Sequence, residues 1–306
     1  MPFSLTLTRF RAVSALLAAA ALVPLTACGR ESTAGQTDAG ATIDVVTSFY
    51  ALQFVAEQVG GDVVSVTNLT KPGAEPHDLE LAPQDLAELS ESDLAIYLSG
   101  FQPAVDDAVA TTPGGTTLDV TAAADLSLTD TDGATDPHFW LDPMRLADVA
   151  DAVADQLAEL SPDAASTFEQ NAALLRDQTT ALDHQYAKQL EQCDSRLLVT
   201  SHAAFGYLAD AYRLDQVGLT GLTPETEPAP NELADVTDLV RDNHVKTVFY
   251  ETLVSPDVAE TVANATGAST SVLDPVEGIT DESEGADYLQ VMAANLRNLR
   301  EGLVCQ

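Results

Sequence analysis

The feature that most constrains this chain is residues 163–192, an uninterrupted stretch without a single glycine or proline. Phe168, Ala172, Leu175, Thr179 and Leu182 recur along it at helical spacing. Ser161-Pro162-Asp163 supplies a capping residue and a proline for the first helical position. At 1.5 Å per residue such a helix is roughly 45 Å long. That exceeds an ordinary domain helix and suits a rod joining two lobes.

On each side of this rod, short β-branched runs alternate with amphipathic ones. Before it, strands are expected at 43–48, 63–69 and 93–98, with helices at 50–59, 83–90 and 142–160; residues 111–137, rich in Thr, Gly, Asp and Ala, are expected to form a surface loop. After it, strands are expected at 196–200, 216–219, 247–250 and 272–274, with helices at 203–212, 231–243, 256–266 and 286–301. Alternation of this kind implies parallel βαβ units. The expected fold class is α/β: two lobes with parallel sheets, residues 42–160 and 193–306, joined by one long rigid helix over 161–192.

The amino-terminal end is set apart from this pattern. Arg9 and Arg11 precede an apolar run over residues 13–25, which ends in Leu25-Thr26-Ala27-Cys28. Length, charge and order match a signal peptide rather than a membrane span. Small residues before a cysteine resemble the bacterial lipobox, so cleavage before Cys28 and lipidation of its thiol are expected. Residues 28–41, nearly devoid of apolar side chains, would then be a flexible tether. The protein is thus expected outside the cell, lipid-anchored to the outer face of the cytoplasmic membrane. In that oxidising compartment the two remaining cysteines, Cys193 and Cys305, are expected to form a disulfide.

There are 48 acidic residues against 13 basic ones, a net charge of −35, and the leader carries two of the arginines and no acid. Nucleic acid and anionic ligands are poor partners for such a surface. Cations suit it, although acidity alone also serves solubility or salt adaptation.

The chain has only five histidines. His77, His138 and His202 each follow an expected strand or lie in the loop leading to a helix, where open α/β sheets place their ligands. Asp274 ends a further expected strand in the same way. Three imidazoles and a carboxylate form a four-coordinate, borderline-soft set that tetrahedral Zn2+ accepts. His184 and His244 are assigned to solvated surface. Glu251 follows the expected strand 247–250, and either orients one of the imidazoles or simply caps the strand end. Glu75 is read as surface loop, and Phe139 and Trp140 as packing in the cleft wall.

Four motifs carry a specific resemblance. Pro72-Gly73-Ala74-Glu75-Pro76-His77-Asp78, Asp136-Pro137-His138-Phe139-Trp140-Leu141-Asp142-Pro143, Thr200-Ser201-His202-Ala203-Ala204-Phe205-Gly206-Tyr207 and Leu273-Asp274-Pro275-Val276-Glu277-Gly278 occur in that order. They resemble the ligand segments of the zinc and manganese solute-binding proteins of bacterial ABC uptake transporters, over residues 42–304. The resemblance implies metal held between the lobes by His77, His138, His202 and Asp274. It also implies a monomeric, non-catalytic protein that passes its cargo to a membrane permease. Nitrogen at position 202 favours zinc over the oxygen-preferring Mn2+. The acidic segment 119–136 is short and lacks histidine, so an auxiliary metal-catching loop of the kind found in many zinc members is not expected.

Two alternatives remain at this point. One is the same role with manganese or iron as cargo. The other is a zinc hydrolase, for which three histidines and a water would suffice; a metal-bound Asp274 would leave no open position, and no HExxH motif occurs. Surface adhesion could coexist with transport, and no residue speaks for it.

Overall fold

The computed structural model describes residues 42–306, except 113, 131, 132, 225 and 227. The expected leader, the lipobox with Cys28 and the tether lie outside the described residues.

The first lobe contains strands β1 (Ile43–Thr47), β2 (Val64–Asn68), β3 (Leu94–Tyr97) and β4 (Thr116–Asp119), joined in parallel in the order β2-β1-β3-β4. The second contains β5 (Leu197–Thr200), β6 (Asp215–Gly218), β7 (Thr247–Tyr250) and β8 (Ser269–Val272), also parallel, in the order β6-β5-β7-β8. The two orders are the same pattern used twice. In each, the chain steps to one side of its first strand and then crosses to the other. The carboxyl ends on either side of that reversal are where ligand crevices form.

Helices α1 (Tyr50–Gly60), α2 (Pro83–Glu91), α3 (Pro103–Thr111), α4 (Thr121–Ala124) and α5 (Pro143–Leu160) belong to the first lobe. Helix α6 (Ala165–Gln189) leads to α7 (Gly206–Tyr212), α8 (Pro230–Asp242), α9 (Asp257–Thr266) and α10 (Tyr288–Gly302) in the second. Asp142 caps α5 by accepting the Met144 N–H at 2.9 Å, with Pro143 at the first helical position.

Among the described residues, three apolar clusters account for the layers. Val46, Leu69, Leu89, Ala95, Val105 and Ala108 seal one face of the first sheet beneath α2 and α3. Val199, Val240, Val248, Ala259 and Val262 do the same for the second sheet beneath α8 and α9. The largest cluster is continuous through both lobes, running from Phe49, Trp140 and Leu157 through Phe168, Leu175 and Tyr186 to Tyr207, Tyr288 and Leu299. Buried hydrogen bonds cross the same region. The Trp140 Nε1–H donates to the Pro275 carbonyl at 2.7 Å, and the Tyr288 hydroxyl to the Trp140 carbonyl at 2.6 Å. Each fully buried aromatic removes on the order of 200 Å² from water, about 5 kcal/mol at 25 cal/mol per Å². The lobes therefore share a core.

Several sequence expectations need correction. The connecting helix is 25 residues long, about 37 Å. It begins after a 3-10 turn over Pro162–Ala164, and the Ser161 side chain caps nothing. The buried stripe of α6 is Phe168, Ala172, Leu175, Thr179 and Leu182, continued by Tyr186. Residues 111–137 are not one loop: they include β4 and α4, and α3 precedes them. β4 is a Thr-rich edge strand with alternate positions exposed, so it lacks the apolar run that marks the central strands. The final strand lies at Ser269–Val272, earlier than its apolar end suggested, which leaves Asp274 in the turn beyond it.

Candidate metal centre

The site is assembled at the carboxyl ends of both sheets. His77 lies in the connection between β2 and α2. His138 ends the connection between α4 and α5, immediately before a 3-10 turn over Phe139–Leu141. His202 follows β5 at once, and Glu277 lies in the turn after β8. His77, His138, His202 and Glu277 each present one ligand atom, and the four atoms lie within 4.8 Å of one another.

All three imidazoles aim Nε2 at the same carboxylate oxygen. Glu277 Oε1 is 3.1 Å from His138 Nε2, 3.4 Å from His77 Nε2 and 3.6 Å from His202 Nε2. The Nε2 atoms of His77 and His138 are 3.3 Å apart. A zinc ion with bonds of 2.0–2.1 Å to tetrahedral ligands requires ligand atoms ~3.3–3.4 Å apart. The four distances, 3.1–3.6 Å, lie close to that edge length. Burial is nearly complete: His138, His202 and Glu277 have no exposed side-chain surface, and His77 retains 6%. His202 Nε2 and both Glu277 oxygens are buried without a hydrogen-bond partner, as ligand atoms reserved for a cation would be.

Two of the rings are held from behind. Asp136 Oδ1 accepts both the His138 backbone N–H at 2.9 Å and the ring Nδ1–H at 2.7 Å. Glu251 Oε1 lies 2.7 Å from His202 Nδ1 and accepts the Ser201 hydroxyl at 2.6 Å. A carboxylate on Nδ1 selects the tautomer that leaves Nε2 free for metal and makes that nitrogen more basic. The contacts on His77 are of another kind: its ring stands edge-on to Phe101 at 4.8 Å, and its backbone N–H donates to Glu75 Oε1.

These carboxylates set the protonation of the rings. Burial alone pushes the His202 pKa down, but Glu251 and Glu277 override it and raise it to about 10. For His138, burial is likewise outweighed by Asp136 and Glu277, and the net shift is upward. Burial would raise the Glu277 carboxyl, yet the three imidazoles bring it well below the usual carboxylate range. Protons and a metal ion therefore compete for the same nitrogens.

Asp274, expected as the fourth ligand, is not among the converging atoms. Its Oδ1 accepts the Val276 N–H at 2.8 Å, and its Oδ2 accepts the hydroxyls of Ser283 at 2.9 Å and Thr252 at 3.3 Å. Three hydrogen bonds occupy the carboxylate, and Glu277 is the acid that converges with the three imidazoles. Glu277 and Asp136 both lie inside the motifs that point to the site, but periodicity gives neither a role. The available signals were a second acid on the same turn and an acid two residues before a ligand histidine. His184 and His244 are exposed, and Phe139 and Trp140 are fully buried. Cys193 and Cys305 form a disulfide that joins the segment before β5 to the chain end.

Comparison with known proteins agrees with this geometry. The family model described as ZnuA, zinc-uptake complex component A, periplasmic, matches residues 45–302. The high-affinity zinc uptake system protein ZnuA of Bacillus subtilis is 31% identical, over 94% of this chain and 96% of its own length. The zinc-binding lipoprotein AdcA of Streptococcus pneumoniae is 33% identical over 94% of this chain, which spans only 60% of AdcA. The crystal structure of the Zn(II)-bound ZnuA-like domain of that AdcA superposes with a TM-score of 0.75 at 33% identity, covering 86% of this chain and 99% of the domain. The chain belongs to the ZnuA family of periplasmic zinc-uptake components.

Proposed function

We propose that this protein captures Zn2+ outside the cytoplasmic membrane and delivers it to the permease of an ABC uptake transporter. His77, His138, His202 and Glu277 are the ligands of the ion. One observation carries this reading: three Nε2 atoms and one carboxylate oxygen, supplied by both lobes, converge within 4.8 Å of one another, with Glu277 Oε1 at 3.1–3.6 Å from all three nitrogens, near the edge length of a zinc tetrahedron. Asp136 and Glu251 fix the tautomers of two ligands. Zinc is the cargo. Four protein ligands, three of them nitrogen, suit its tetrahedral preference better than the oxygen-rich octahedron of manganese. With the fourth position filled by Glu277, no site remains for an activated water, so the role is binding and transfer rather than hydrolysis. The chain acts as a monomer held to the outer face of the cytoplasmic membrane by lipid on Cys28.

Metal analysis of the purified protein, followed by zinc titration of the parent and of His202→Ala, tests the assignment. One zinc per chain is expected, with sharply weaker binding by the variant. A variant that binds zinc like the parent defeats the ligand set. For the anchor, Cys28→Ser is expected to appear in the soluble fraction, because the lipid chains supply the membrane affinity; a variant that stays membrane-bound defeats that part.

A further inference from the structure

Asp274, displaced from the ligand set, still has its carboxylate fully engaged beside the site. It is 2% exposed, and its backbone is held as firmly as its side chain. The Asp274 N–H donates to Asn295 Oδ1 at 2.9 Å, and Asn295 Nδ2–H returns a bond to the Asp274 carbonyl at 2.7 Å. Asn295 is itself buried on α10. The next residue, Pro275, is gripped from the other lobe by the Trp140 indole.

Beyond it, Val276 adopts a left-handed backbone with φ of +56° while fully buried. A β-branched residue is sterically disfavoured there, since its Cβ crowds the backbone. Such a conformation persists only where the surroundings enforce it. The Val276 N–H is fixed by Asp274 Oδ1, while Oδ2 is tied to Ser283 and Thr252. This left-handed step turns the chain so that the following side chain, Glu277, points back at the three imidazoles.

We infer that Asp274 is the positioning residue for Glu277: it holds the strained Val276 turn that aims the fourth zinc ligand, and zinc affinity depends on it although it touches no metal. The inference rests on Glu277 being a ligand.

The test is a double-mutant cycle on the full chain, read as zinc Kd by competition with a chelator, with the melting temperature of each zinc-free variant measured alongside. Asp274→Ala is expected to weaken zinc about 10–100-fold, the usual cost of removing a group that orients a ligand. In a Glu277→Ala background it should cost nothing further, because there is no ligand left to aim. Asp274→Asn should recover most of the loss, since its amide oxygen can still accept the Val276 N–H. If Asp274→Ala does not fold, Thr252→Val with Ser283→Ala strips both hydroxyls from the carboxylate and probes the same coupling.

Asp274→Ala binding like the parent, while Glu277→Ala binds weakly, overturns the positioning role alone. A loss equal in size with and without Glu277 also overturns it, and marks Asp274 as generally structural or as a ligand in its own right. Glu277→Ala binding zinc like the parent removes the ligand reading and the positioning role together.

Discussion

The two lobes use one strand order and supply the site in different ways. In the first, both histidines sit on extended connections: His77 follows the edge strand β2 and His138 lies well beyond the edge strand β4. In the second, His202 and Glu251 follow the central strands β5 and β7 directly, and Glu277 lies just past β8. Acids are divided unevenly as well. The second lobe contributes Glu251, Asp274 and Glu277, and the first contributes Asp136 behind His138. A sheet centre is the stiffer mount, because its strands are paired on both sides. His202 and Glu251 thus sit on the stiffer mount, whereas Glu277 follows the edge strand β8; the second lobe supplies most of the negative charge and the first supplies two of the three nitrogens.

Exchanging ligands is the harshest way to break this comparison. Glu277→Ala and His202→Ala should each weaken zinc by more than the roughly 10–100-fold typical of changes behind the ligands. Glu277→Ala should be the worse if negative charge on the second lobe drives capture. Chelator competition ranks them, and a His77→Ala loss exceeding both would place the larger share of the affinity on the first lobe.

Next come the two orienting acids. Glu251→Gln and Asp136→Asn should each weaken zinc by about 10–100-fold. Glu251→Gln should also shift the pH response, because Glu251 is the main influence holding His202 up.

The pH dependence itself follows from the raised imidazoles. His202 at about 10 remains protonated in the zinc-free protein at neutral pH, and the His138 pKa is shifted in the same upward direction, so zinc must displace protons. Affinity should therefore keep rising from pH 6 to pH 9 instead of levelling off just above the ordinary histidine pKa of about 6.5. Because the folded pKa is raised, the protonated rings stabilise the zinc-free fold most fully below about 6.5. That contribution fades as pH climbs toward about 10. The rise in melting temperature on adding zinc should grow with pH over the same range, and calorimetry at several pH values measures it. A gain that is flat from pH 6 to pH 9 contradicts this.

The disulfide sharpens the contrast from the opposite end of the second lobe. Cys193 precedes β5 on its amino side, whereas His202 follows its carboxyl end. Replacing both cysteines by serine should cost about 2–5 kcal/mol of stability, given a bridge spanning 112 residues, and leave zinc affinity nearly unchanged. Denaturant melts and zinc titration separate the two effects. His184→Ala, exposed on α6, should alter neither.

Much of this was legible from residue order alone. The alternation of β-branched and amphipathic segments sets two parallel α/β lobes, and the glycine- and proline-free segment sets the helix between them, because both depend on local periodicity. His77, His138 and His202 could be singled out because histidine is scarce here and all three follow strand ends. The edge strand β4 and the helix α3 escaped, since a half-exposed Thr-rich strand and a short helix carry little periodic signal.

Which of Asp274 and Glu277 faces the imidazoles was not decided by the sequence, which showed only that two acids share the turn. Both acids sit on one turn, and either could reach a metal. The choice rests on a left-handed backbone at Val276, on hydroxyls from Thr252 and Ser283, on Asn295 of α10 and on Trp140 of the opposite lobe. Local sequence determines which elements form and which residues end them. Which of two neighbouring carboxylates stays free for a cation depends on what hydrogen-bonds the other, and the hydroxyls of Thr252 and Ser283 reach the Asp274 carboxylate only in the folded chain, where Asn295 holds the Asp274 backbone and Trp140 the Pro275 carbonyl.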